Sequence, residues 1–528
     1  MDALERRRPL WLAAGLVAAL ASLPLIYVLV RAAGAGADTW SELLDRRIPE
    51  LLAATVGLAA VVCAATLLIG VGLAYLVVRT DLPGRRALTV LCALPLAVPP
   101  YVGSVIYADV LGPRGGLRDV LGVEELPSIF GFTGSALVLT LFTFPYVFLL
   151  AAAALRNLNP SYEEAARALG RRPLAVLAGT TSRLIAPALV SGTLLVGLYV
   201  LSDFGAVSLM RFDTFTTVIY EELGGRFDPP GAAALSSVLV LLTLVLLAVA
   251  LRARGRGRFE QTGGGSARDA LQPLGNWRWP ALAAVGVVLS LSLLLPLLRL
   301  ITWTVSTLPD QDVGEYVGWG LNTLLVSVLA AAVAVALALP VALILASRRG
   351  RGSGSSPGGL LVGALAQAGY ALPGVIVALA LVAIATRYAD PLYGTLALLV
   401  TAFVIRFLPQ AIQGEEAGLQ QIGVNLTEAA RGLGASRLQS FRRVVMPLMA
   451  PSMAVAFAVV FLTAVKELPA TLVLRPLGFD TLPVRVWTPA HDGLYAEAGP
   501  AALLLVLVSI PPLYLLLARR RGGLPSLS

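Results

Sequence analysis

From Ala232 to Leu251 the chain runs without a charged residue, and comparable apolar runs recur along its whole length. Crossing a bilayer as helix takes roughly 20 apolar residues, and backbone groups in hydrocarbon must be satisfied within the segment. A chain built from such runs folds as a bundle of membrane helices. Its composition, 57% hydrophobic and 13% charged, lies far from the balance of a soluble domain. The net charge of +9 does not point to nucleic acid, because the arginines sit in short loops beside apolar runs. That arrangement sets topology.

The spacing predicts twelve spans, near 10–30, 51–78, 87–111, 134–155, 187–207, 232–251, 280–301, 321–346, 359–385, 394–413, 452–474 and 499–518. The N-terminus carries Arg6 to Arg8 ahead of a long apolar run without a convincing cleavage site, so the first run reads as a retained helix that starts inside. Arg79, Arg85, Arg86, Arg156, Arg171, Arg172, Arg348, Arg349, Arg351 and the closing Arg519 to Arg521 mark the cytoplasmic side. Both termini are therefore expected in the cytoplasm. Residues 253–278, basic and rich in glycine, form a cytoplasmic linker between a first membrane half at 1–252 and a second at 279–528. Six spans return the chain to the side it left. The expected fold is thus all-α and polytopic, with two parallel six-helix halves about a pseudo-twofold axis along the membrane normal.

One motif appears in both halves. Glu164 to Gly170 reads EAARALG and Glu428 to Gly434 reads EAARGLG, 264 positions apart, and the ungapped match continues through Leu174/Leu438, Leu184/Leu448 and Pro187/Pro451. Each copy lies in a polar island, about 156–187 and about 414–451. Ser161 and Asn425 stand three residues before their glutamates, as N-caps of a capping box would. Gly170 and Gly434 suit a left-handed helix stop. The expectation is a short capped helix and a turn, repeated once per half on the cytoplasmic side.

The two islands resemble the EAA loops of the permeases of bacterial ABC importers: Glu-Ala-Ala, a glycine beyond three further residues, then a hydrophobic-proline pair. Glu164, Ala165, Ala166 and Gly170 match in the first copy; Glu428, Ala429, Ala430 and Gly434 match in the second, together with Val444, Met446 and Pro447. The first copy departs where Arg183 replaces the second copy's Pro447. The segments Val200 to Tyr220 and Val465 to Trp487 are similar to fused permeases of the ferric-iron type. The resemblance implies that the EAA helices dock on two separate cytoplasmic ATPase subunits, which bind ATP and Mg. It also implies a periplasmic or lipid-anchored binding protein that delivers substrate, and a location in the bacterial inner membrane. Permeases for thiamine, an aminophosphonate or a polyamine share this plan. An ion-coupled secondary transporter also has parallel repeats, but it does not need two capped helices at matching positions.

The only lysine is Lys466, so no Walker A loop exists in this chain and no ATP hydrolysis is expected of it. Cys63, Cys92 and the single His491 support neither a disulfide framework nor a metal site. Prolines at 95, 99, 100 and 373 are expected to kink their spans. The 264-residue offset also pairs Asp203 with Glu467 and Arg211 with Arg475. Ionisable residues inside spans are functional candidates. Asp203 and Glu467 read as an acidic pair in the outer part of a cation path, or alternatively as acids paired with a nearby arginine or Lys466 or exposed at the interface as helix-end groups. Arg406 reads as a cytoplasmic-side residue that snorkels to the interface.

Overall fold

The computed structural model describes residues 8–113, 115–224, 228–255, 271–349, 357–422 and 424–519. Most of the expected linker, residues 256–270, lies outside the described residues, as do both terminal segments. Among the described residues the architecture is helical throughout, with one isolated bridge between Thr80 and Gln272.

The first half contains α1 (Arg8–Ala33), α2 (Ile48–Arg79), α3 (Pro100–Leu111), α4 (Phe132–Asn157), α5 (Ser161–Ala168), α6 (Ala186–Ser202), α7 (Gly205–Leu209), α8 (Phe215–Gly224) and α9 (Pro229–Gly255). The second contains α10 (Arg278–Leu289), α11 (Leu295–Thr307), α12 (Val313–Arg349), α13 (Pro357–Ala366), α14 (Gly374–Tyr388), α15 (Leu396–Gln421), α16 (Val424–Gly432), α17 (Met446–Ala464), α18 (Pro469–Leu474), α19 (Leu482–His491) and α20 (Gly499–Arg519). Nine of the described helices are long and apolar enough to cross a membrane, and three bent pairs raise the number to as many as twelve. Each expected span falls on one of them.

The prolines do more than kink. Leu94–Ala97 and Ala368–Ala371 are single 3-10 turns, each ended by an extended residue, Val98 and Leu372, before Pro99 and Pro373. A residue before proline is pushed out of the helical region, so the chain stops, turns and starts again as α3 and α14. The bends are 89° and 106°. The same break thus occurs in both halves, 274 positions apart.

Packing crosses the boundary between halves. α1 lies against α12, α13 and α14 of the second half, and α11 lies against α3 of the first. One apolar core joins α1, α8 and α9 to α12, α14 and α15; another joins α2, α3 and α4 to α11, α19 and α20. Small residues permit close crossings: a Cβ on Gly70 would sit 2.9 Å from Val147 and the backbone of Phe148, and one on Gly414 would sit 2.8 Å from Ala456.

Candidate functional sites: a repeated turn and a charged seam

The two copies of the motif form the same object. α5 and α16 each end at a glycine in the left-handed region, Gly170 at φ 81° and Gly434 at φ 84°. Gly170 N donates to Arg167 O at 2.8 Å and Arg171 N to Ala166 O at 3.3 Å; Gly434 N donates to Arg431 O at 3.0 Å and Ala435 N to Ala430 O at 3.1 Å. This is the Schellman pattern, which satisfies the last carbonyls of a helix. A helical turn follows in each copy, Pro173–Val176 and Arg437–Ser440, and then a π-helical turn, Leu177–Thr181 and Phe441–Val445. All of these keep the 264-residue offset. At the turn stand Leu169 and Leu433, 83% and 90% exposed. Glu164, Ala165 and Ala429 are exposed as well.

The helix starts differ from the expected capping box. α5 begins at Ser161 itself with Pro160 before it, and Asn159 Oδ1 accepts from Ser161 N at 3.1 Å. Proline's fixed φ already suits a helix start, so the helix opens one residue early and Ser161 is no cap. Asn425 likewise lies inside α16, which begins at Val424. Within α5 Glu163 faces inward and Glu164 faces outward. Glu163 is buried, its Oε2 3.4 Å from Arg79 Nε and its Oε1 accepting from Thr181 Oγ1 at 2.9 Å. Sequence reasoning passed over it because the motif drew attention to its neighbour. The signal was available: Glu163 shares a helix face with Ala166, and an arginine closes the second span.

The copies diverge after the π turn. In the first, the helix breaks at Ile185 with an 80° bend before α6, whereas in the second Leu438–Ala464 runs as one span. The straight copy is the one that contains Pro447, so the bend does not come from that proline.

The acids lie at corresponding places. Asp203 follows α6, and its Oδ2 accepts from Ala206 N at 3.0 Å and Val207 N at 3.2 Å at the start of α7. Glu467 follows α17, and its Oε1 accepts from Ala470 N at 3.3 Å at the start of α18. Both carboxylates are buried. Arg406 forms an ion pair with Glu467 and lies within electrostatic reach of Asp203. It does not snorkel: α15 carries it against Gly374, where α14 begins, so the second broken helix, Arg406 and Glu467 meet at one point. The first broken helix meets the other acid's loop, since a Cβ on Gly205 would sit 2.9 Å from both Tyr101 and Leu468. The position matching Arg406 at the 264-residue offset is Phe142, fully buried and packed on Gly103.

Other polar groups tie the halves together here. Lys466 Nζ donates across the seam to Leu96 O at 2.7 Å. Arg299 pairs with Asp109, and Tyr107 donates to Leu291 O at 2.8 Å. Among the described residues, the buried hydroxyl of Tyr101 meets no hydrogen-bond partner. Beyond the acids, Arg475 pairs with Asp480, and the second half carries three additional residues, Pro476 to Gly478, which carry Leu477 fully into the open. His491 stacks on Trp487 with ring centres 4.6 Å apart. No group of three metal-ligating side chains occurs among the described residues.

Comparison with known proteins agrees with the duplication. The model of the family described as "Binding-protein-dependent transport system inner membrane component" matches twice, at residues 66–256 and 338–520. The Fe(3+)-transport system permease protein FbpB 2 of Haemophilus influenzae is 32% identical over 523 residues, covering 97% of this chain and 99% of that protein. The ferric transport system permease protein FbpB of Actinobacillus pleuropneumoniae is 24% identical over 465 residues, covering 83% and 66%. The sulfate transport system permease protein CysW of Escherichia coli is 30% identical over 189 residues, 36% of this chain and 65% of that protein. With two copies of the family's unit joined in one all-helical chain, this protein belongs to the inner membrane components of binding-protein-dependent transport systems, the permeases of ABC importers.

Proposed function

We propose that the chain forms the translocation path of an ATP-driven importer of ferric iron, and that it receives its driving force through the two repeated turns. The observation that carries the coupling part is the duplicated exposed surface: two helices with the same stop, each presenting a leucine to solvent at the same register. An exposed large apolar residue on an ordered turn suits a groove on a partner. Glu164, Ala165, Gly170, Glu428, Ala429, Ala430 and Gly434 form this contact, one turn per ATPase subunit, while Ala166 supports it from the buried face of α5. ATP and Mg are held on those subunits, and both termini of the permease share their cytoplasmic side. A periplasmic or lipid-anchored binding protein supplies the substrate.

Support for iron comes from the full-length likeness to an Fe(3+) permease. Hard trivalent cations prefer oxygen ligands, and Asp203 and Glu467 offer carboxylates where the two halves meet. Arg406 pairs with Glu467, and under this proposal the pair must part for the acid to meet the substrate. The ATPases drive the opening by moving the halves apart.

Uptake into vesicles containing this permease, its ATPase and its binding protein tests the proposal. Ferric iron is expected to accumulate only with ATP present, whereas thiamine and sulfate are not. Accumulation driven by an ion gradient without ATP overturns the coupling reading, and accumulation of sulfate in place of iron overturns the substrate.

A further inference from the structure

The two repeated helices present the same outer surface but are attached to the bundle by different chemistry. In the first half the attachment is polar and buried. Glu163 pairs with Arg79 of α2, whose side chain is 5% exposed, and takes the hydroxyl of Thr181 from the π turn; Arg79 Nη2 also donates to Leu158 O at 2.9 Å, just ahead of α5. One arginine thus holds both the start of α5 and the loop that leads to it. In the second half the matching positions are Thr427 and Val445, with neither a carboxylate nor a matching hydroxyl on the π turn. Val445 is buried in an apolar cluster with Ala342, Ala346, Leu419 and Met449.

The polar attachment continues into the connector between the halves. Gln272 N donates to Arg79 O at 2.9 Å, Asp81 N donates to Gln272 O at 3.1 Å, and Tyr75 donates from its hydroxyl to Gln272 Oε1 at 2.7 Å. Leu274 N is received by Asp81 Oδ1 at 2.8 Å. The residue whose side chain grips the first helix is therefore gripped, through its carbonyl, by the chain that leads into the second half.

We propose that Glu163, Arg79 and Gln272 are positioning residues which fix the first helix to α2, so that the two repeated helices differ in stiffness: the first is clamped by a buried ion pair, while the second lacks the matching carboxylate and its π turn sits through Val445 in an apolar cluster. A buried ion pair is directional, and loss of one partner strands the other charge, while apolar contact is non-directional and tolerates sliding. This inference rests on the reading of both helices as the contacts for the ATPases.

The test uses the full transporter in vesicles, with spin labels on L169C or L433C in a background lacking Cys63 and Cys92. The label at 169 is expected to show the narrower distribution. E163Q is expected to broaden it to match 433, to leave 433 unchanged, and to raise the ATP consumed per substrate severalfold. Q272A, which leaves the buried pair and the main-chain bond to Arg79 in place and removes only the Tyr75 contact, is expected to produce the same change more weakly. Replacing both charges, R79M with E163Q, is expected to restore part of the narrow distribution because no charge remains stranded. Equal distributions at 169 and 433 in the unmodified chain overturn the proposal, as does a distribution at 169 that neither E163Q nor Q272A moves. G434A separates the two readings: if it leaves ATP per substrate unchanged, the coupling reading itself fails; if it uncouples while 169 stays fixed in E163Q, only the clamp fails.

Discussion

Two levels of the molecule record the duplication differently. At the repeated turns, the helix stop is copied to the hydrogen bond, with Arg171 to Ala166 matched by Ala435 to Ala430, while the sequence positions of the buried Glu163 and Thr181 hold Thr427 and Val445 in the second copy. At the seam the backbone is copied, with an acid ahead of a short helix in each half, and the surrounding charges have diverged. Phe142 faces Arg406 across the offset, and Ser202 faces Lys466. Under the proposed function, surfaces that meet like partners stay alike, whereas a buried contact with one's own half is free to find another packing solution. Arg406 and Lys466 both belong to the second half, so the two acids sit in unlike surroundings.

The seam offers the largest effect. Arg406 and Phe142 occupy equivalent positions, yet substitution by methionine is expected to act very differently. R406M leaves Glu467 buried without its partner, a change that costs about 3–5 kcal/mol. F142M exchanges one large apolar side chain for another, with an expected loss below about 1.5 kcal/mol. Unfolding of the purified permease in detergent measures both. Adding E467Q to R406M should recover most of the loss, and equal losses at the two positions would break the asymmetry.

Much of this was legible in the sequence, for physical reasons that can be named. The spans were legible because lipid permits few alternatives to a helix, and the turns were legible because a left-handed helix stop needs glycine, found at both 170 and 434. The proline breaks were half legible: Pro99 and Pro373 announced irregularity, but a sharp turn differs from a kink only through the extended residue before each, Val98 and Leu372. What stayed hidden depended on contacts between distant segments. Arg406 reads as an interfacial arginine until α14 and Glu467 are brought against it, and Arg79 reads as a topology marker until α5 folds over it. Which of two adjacent glutamates faces inward likewise depends on how α5 lies against Arg79.

A smaller effect, this time on association, bears on the copied surface. Leu169 and Leu433 are exposed, so L169S and L433S should each change folding stability by less than about 0.5 kcal/mol. If each leucine is buried against an ATPase subunit, its loss weakens that contact by about 1.5–3 kcal/mol. Titration of the ATPase onto each variant in vesicles measures the difference. Equal weakening sharpens the view that both turns dock alike; weakening at one turn alone shows that the likeness of the surfaces does not extend to their use.

The smallest expected effect comes from the helix stops. An added Cβ at Gly170 or Gly434 would meet nothing within 4 Å, so alanine there acts through backbone conformation alone. A side chain in the left-handed region costs about 1–2 kcal/mol, and each 1.4 kcal/mol is about a tenfold change in population. G170A and G434A should therefore reduce the fraction of turns in the docking conformation by roughly one order of magnitude, read as ATP-dependent uptake. The clamp makes the two variants unequal in a definite direction. In the first half Glu163 and Thr181 hold the helix and the π turn together from both sides of Gly170, so the strained turn has fewer alternatives and G170A keeps more uptake than G434A. If G434A keeps more, buried polar anchoring does not stabilise the turn, and the divergence beneath the two copies has another cause.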